Sequence, residues 1–71
     1  MNNYHQSIDF LRANLKPLKY KGLIDNVLLF VEKNKLQDNF LNVFNNELVN
    51  NEPLKALNLT YNKLKDELNS R

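Results

Sequence analysis

The sequence predicts an all-α fold, a small bundle of about four antiparallel helices in one domain spanning residues 1–71. Three observations carry that prediction. Large apolar residues recur at spacings of three and four along most of the chain, the mark of amphipathic helices. No stretch alternates polar and apolar residues as a half-buried strand would. The connections between periodic stretches are short, which favours antiparallel neighbours.

A first helix is predicted from Tyr4 to Leu15. Asn3 caps it, with Gln6 three residues on as the reciprocal partner. Ile8, Leu11 and Leu15 mark its buried face. Pro17 lacks an amide hydrogen and restricts Lys16, so the helix ends by Leu15 or Lys16. The segment Lys16 to Gly22 reads as a connector or tight reversal.

The second helix is expected over Lys21 to Lys35. Leu23, Ile24, Val27, Leu28, Phe30 and Val31 span an arc of roughly 160° at 100° per residue. So broad a face implies two neighbours, which makes this the central helix. Leu29 falls outside the arc, either as a stray exposed leucine or as part of an interface. Lys33 and Lys35 sit where positive charge complements the helix dipole.

Asp38 or Gln37 caps the third helix, which runs to Val49 with Leu36, Phe40, Leu41, Val43, Phe44 and Leu48 on its face. Glu47 projects into that apolar stripe. It either reaches solvent at a frayed end or is held for a partner's cation, His5 or a tyrosine. Glu52-Pro53 opens the fourth helix, since proline is favoured at the first helical position. Leu54, Leu57, Tyr61, Leu64 and Leu68 form its narrow seam, too short for an independent coiled coil. Leu59 lies off the seam and is a candidate for an exposed apolar contact.

Composition narrows the function classes. There is no cysteine and one histidine, so neither disulfides nor a thiolate or histidine-rich metal site is available. No cofactor is expected. The longest uninterrupted apolar run, Val27 to Val31, is far short of the roughly 20 residues of a membrane span. Met1 to His5 lacks the basic and apolar regions of a signal peptide, and a cytoplasmic protein is expected. Asn45-Asn46, Asn50-Asn51 and the many lysines resemble the product of an AT-rich genome, such as a low-GC bacterium or its mobile elements.

Net charge is +2, distributed as +3 over residues 1–35 and −1 over residues 36–71. A basic front half can meet an acidic partner or a phosphate backbone, or simply keep a small protein soluble.

Catalysis is not expected. Ser7, Thr60 and Ser70 have only His5 as a candidate base, and no glycine-framed turn exposes a hydroxyl. Asp66 and Glu67 point about 100° apart on a helix and are poorly placed to share a metal or a proton. No glycine-rich phosphate loop is present. The best local candidate for function is Lys16-Pro17-Leu18-Lys19-Tyr20-Lys21, which interleaves lysines with an aromatic able to stack on a base. It also has the composition of an ordinary exposed loop.

Leu15-Lys16-Pro17-Leu18-Lys19-Tyr20-Lys21-Gly22-Leu23, followed by an apolar helix and then Leu36-Gln37-Asp38-Asn39-Phe40-Leu41, resembles the N-terminal helical region of IstB/DnaC-like helicase-loader ATPases. The likeness covers about half the chain. It departs from that family in a shorter second helix and in carrying no ATPase domain and no arginine-rich stretch after the acidic end at Glu47. The resemblance implies an adaptor that docks on a replication or transposition protein without a motor of its own.

The expected function is therefore non-enzymatic protein binding, as an adaptor or inhibitor acting on the DNA replication machinery of a bacterium, phage or mobile element. The contact residues expected are Lys19, Tyr20, Lys21, Leu29 and Leu59. Two alternatives share the same features: a bacteriocin or toxin immunity protein, and a small nucleic-acid-binding protein. The fourth helix is expected to pack onto its own bundle, with a homodimer through it as the alternative. No membrane partner is expected.

Overall fold

A computed structural model describes residues 3–70 of the chain. Met1 and Asn2, on which the expectation about a signal peptide partly falls, lie outside the described residues, as does Arg71, one of the cations in the charge balance. Four helices follow in order: α1 (Tyr4–Asn14), α2 (Leu18–Lys33), α3 (Gln37–Leu48) and α4 (Pro53–Asn69). There is no strand among the described residues, and the protein is an all-α bundle. Its radius of gyration, 11.3 Å, matches the roughly 11 Å of a compact chain of this length, so no helix stands apart from the others.

Local chemistry accounts for most helix ends. The Asn3 side chain accepts a hydrogen bond from the Gln6 amide at 2.8 Å, satisfying one of the amides left over at the start of α1. Lys16-Pro17 separates α1 from α2, but the reversal is tighter than the sequence reading gave. Pro17 itself stands at the N-cap of α2, and the helix begins at Leu18 rather than Lys21. Proline pre-sets the dihedral that a helix start needs and has no amide to waste there, so the same residue that stops α1 launches α2. The end of α2 is a Schellman turn. The Leu36 amide donates to the Val31 carbonyl at 2.8 Å and the Lys35 amide to the Glu32 carbonyl at 3.3 Å, with Lys35 at φ 56°. Lys35 therefore lies beyond the helix and not in its last turn. Leu36 follows it into the core, 4% exposed, and precedes α3 without a side-chain cap. Neither Gln37 nor Asp38 is the cap; both are helical residues. Glu52-Pro53 opens α4 as the sequence implies.

The core is built from the expected faces. Leu11 and Leu15 of α1's end, Ile24, Val27, Leu28 and Val31 of α2, Phe40 and Phe44 of α3, and Leu57 and Leu64 of α4 are all buried. Aromatic contacts tie the helices together in two sets. The Phe40 and Phe44 rings stack at 5.3 Å, with Tyr4 edge-on to Phe40 at 5.8 Å and Phe10 edge-on to Phe44 at 6.3 Å, which joins α1 to α3. Phe30 meets Tyr61 at 5.3 Å, which joins α2 to α4.

The central helix is α3, not α2. It packs against all three other helices and most extensively against α4. The α2 face is broad in angle, but its flanks, Leu23 and Phe30, are only half-buried. The α4 face is wider than the seam of large residues. Ala56 and Thr60 are fully buried beside Leu57 and Leu64, and the Thr60 hydroxyl satisfies itself by donating to the Ala56 carbonyl at 2.7 Å. Ser7 is buried on α1 in the same way, donating to the Tyr4 carbonyl at 2.6 Å. Small residues like these escape a search for large apolar side chains, yet they let neighbouring helices approach closely.

Candidate interaction surface at the α1–α2 corner

The five residues singled out from sequence do not form one site. Lys19, Tyr20 and Lys21 occupy the first turn of α2. The Tyr20 ring is half-buried and packed against the core, with the Lys19 ammonium 5.1 Å from its centroid, which makes it a poorer stacking surface than an exposed tyrosine. Lys21 is exposed. Leu29, on the outer side of the same helix, is 69% exposed. Leu59 lies on α4 and is half-buried, a correction to its reading as an exposed contact. It sits about 60° from Ala56 on the helical wheel, at the margin of the wider buried face.

Two large apolar residues missed by the sequence reading are more exposed than Leu29. Leu18 is 86% exposed and Val49 is 77% exposed. The signal for Leu18 was available. Once α2 starts after Pro17, Leu18 and Leu29 are eleven residues apart and fall within about 20° of each other, opposite the buried arc. They are two leucines on one solvent-facing line, about 16 Å apart along the axis.

Leu18 also borders a groove of about 210 Å³ between the end of α1 and the start of α2. Leu15, Leu18 and Ile24 supply its apolar lining, and Arg12, Lys16 and Lys21 its charge. Four of the chain's ten cations and none of its eight carboxylates fall between residues 10 and 24, so the rest of the chain is net −2. The nearest anion found for this patch is Asp25, 3.4 Å from Arg12 with both side chains about half exposed. Such a pair contributes about 0–1 kcal/mol. Among the described residues, no ion pair involves Lys16, Lys19 or Lys21.

The helix start adds to the imbalance. The first turn of α2 has no acidic residue and no side-chain cap, yet it carries two lysines at the positive end of the helix dipole. Among the described residues no ion pair offsets that arrangement. An anion arriving from outside would.

Glu47, by contrast, is satisfied internally. Its carboxylate, 14% exposed, accepts from Lys63 Nζ of α4 at 2.9 Å. It pairs with neither His5 nor a tyrosine, and it is not left waiting for a partner's cation. At the other end of the bundle's chemistry, the Tyr4 hydroxyl donates to Glu32 at 3.1 Å, and its burial, with the adjacent carboxylate, pushes its pKa well above the usual tyrosine range. No three His, Asp or Glu side chains converge on a metal-sized space among the described residues. No helix of the described residues is long and apolar enough to cross a membrane.

Comparison with protein-family models, with curated proteins and with solved structures gives no match.

Proposed function

We propose that this protein is a non-enzymatic binding module, an adaptor or inhibitor that works by presenting the α1–α2 corner to another protein. The observation that carries this reading is Leu18, almost fully exposed beside a groove with an apolar lining and flanked by Lys16 and Lys21, which have no ion pair among the described residues. Exposing a leucine in such a setting forfeits roughly 1.5–3 kcal/mol of burial, and placing lysines at a helix start forfeits a little more. A partner that covers both features recovers the loss. The DNA replication machinery of a bacterium, phage or mobile element is the context proposed for that partner, from the resemblance of residues 15–41 to helicase-loader N-terminal regions. A cytosolic setting fits the lack of cysteine.

Nucleic-acid binding is the weaker reading. Four cations fall short of the 6–10 phosphate contacts typical of salt-sensitive DNA binders, and the half-buried Tyr20 ring is a poor stacking platform. A homodimer through α4 would have to use residues other than Leu57 and Leu64, which are buried within the chain.

Affinity capture with the wild-type chain and with a Leu18→Ser, Lys21→Glu double variant tests the reading. A partner identified by mass spectrometry should be held by the first and lost by the second. Equal capture by both, or duplex DNA binding that falls steeply with salt, overturns it. Expression in the host then separates the two protein-binding roles: slowed DNA synthesis marks a replication adaptor, and toxin resistance marks an immunity protein.

A further inference from the structure

The α1–α2 groove has a lining of one chemistry and a rim of another. Its volume, about 210 Å³, is below the roughly 300–1,000 Å³ of small-molecule and cofactor sites and suits a single large side chain. Its apolar lining and the exposed Leu18 have nothing to offer a phosphate backbone. Its cations have nothing to offer a wholly apolar segment. A ligand that satisfies both must carry an apolar side chain with carboxylates close on either side.

We propose that this groove binds a short acidic segment of a partner protein, seating one large apolar side chain against Leu15, Leu18 and Ile24 while its flanking carboxylates meet Arg12, Lys16 and Lys21. The proposal rests on the protein-binding reading and names the chemistry of what is bound. Arg12 already has Asp25 at 3.4 Å, but that exposed pair is weak enough to be exchanged for a closer carboxylate. Lys16 and Lys21 have no ion pair among the described residues to give up, so they supply most of the discrimination. Because the charges lie on the rim, they act chiefly on encounter rate and on selection against basic segments.

The test is a titration of the isotope-labelled chain, followed by NMR, with acetyl-Asp-Glu-Asp-Leu-Phe-Glu-Asp-amide. Two controls accompany it, one with Ser-Ser replacing Leu-Phe and one with Gln replacing every acidic residue. Expected are shifts concentrated in residues 11–24 and affinity at least about tenfold weaker for each control. The exposed-site variants Lys16→Glu with Lys21→Glu, and Leu18→Ser, should also weaken binding about tenfold while keeping the helical circular dichroism spectrum. No shifts at millimolar peptide, controls that bind equally well, or shifts confined to α3 and α4 overturn the proposal. So does duplex DNA that moves the same resonances more tightly than the peptide, or self-association of the chain through residues 11–24 seen by sedimentation.

A random-peptide selection run in parallel keeps this inference distinct from the reading beneath it. Selected peptides that are acidic and apolar and that compete with the probe support the proposal. Selected peptides of another chemistry bound at the same corner overturn it and leave the binding-module reading standing, and peptides bound elsewhere overturn both. An empty selection together with salt-sensitive DNA binding overturns both.

Discussion

Phe40 and Phe44 are the largest fully buried side chains, and each is held by ring contacts with its stacked neighbour and with an α1 aromatic. Phe40→Ala should cost about 3–5 kcal/mol, a large share of the roughly 4–10 kcal/mol such a chain has, so the variant's thermal midpoint by circular dichroism should fall far below the wild type's. Tyr4 has a different signature because its hydroxyl titrates. Its folded-state pKa is raised above the ordinary 10.0, so its stabilising contribution is complete below about pH 10 and is lost as pH rises further. Urea midpoints taken at about pH 9 and about pH 11 should therefore fall more for the wild type than for Tyr4→Phe. The Glu47–Lys63 pair joins one largely buried and one exposed end. A double-mutant cycle with Glu47→Gln and Lys63→Met should give a coupling of about 0.5–1 kcal/mol that shrinks with added salt.

At the scale of single helices, two positions carry the residue that the other would favour. Gly22 lies inside α2 with an ordinary helical φ, and a Cβ built there would meet nothing within 4 Å. Gly22→Ala should raise stability by about 0.5–1 kcal/mol, read as a higher urea midpoint at unchanged slope. Lys35 is the left-handed residue of the Schellman turn at φ 56°, a conformation that costs an L side chain about 1–2 kcal/mol. Lys35→Gly relieves that strain and gives back part of it as chain entropy, for a net gain of roughly 0.5–1 kcal/mol. If Lys35→Gly lowers the midpoint instead, the turn is not the strained element described.

For the whole molecule, contacts are mostly local and every connection is short. Such a chain should unfold in one transition with a stability of roughly 4–10 kcal/mol, and refold within milliseconds in stopped-flow mixing. Coincidence of the near- and far-ultraviolet dichroism curves checks the first expectation. A separate early loss of α1 or α2 would refute it.

How much of this was legible beforehand differs from residue to residue. Asn3 and Pro53 announced their helix starts because capping and proline chemistry act within one turn, with no need of distant neighbours. Pro17 was read only as a stop, because its role as a start depends on how the chain leaves it. Leu18 was then lost inside a supposed connector, and with it the most exposed large apolar side chain and the edge of the groove. Leu59 erred the other way, since Ala56 and Thr60 extend the buried face toward it and neither is conspicuous in a hydrophobic pattern.

Spacing alone determined that the chain is helical, about how many helices it has and which face of each helix turns inward, because a 3.6-residue repeat dictates what a helix can show to its neighbours. Only the tertiary structure decided that α3 is the hub, that Glu47 finds Lys63, and that Arg12, Lys16 and Lys21 share a groove with Leu18. Those facts depend on how rods cross and which ends meet, and a periodicity along one rod carries no information about either.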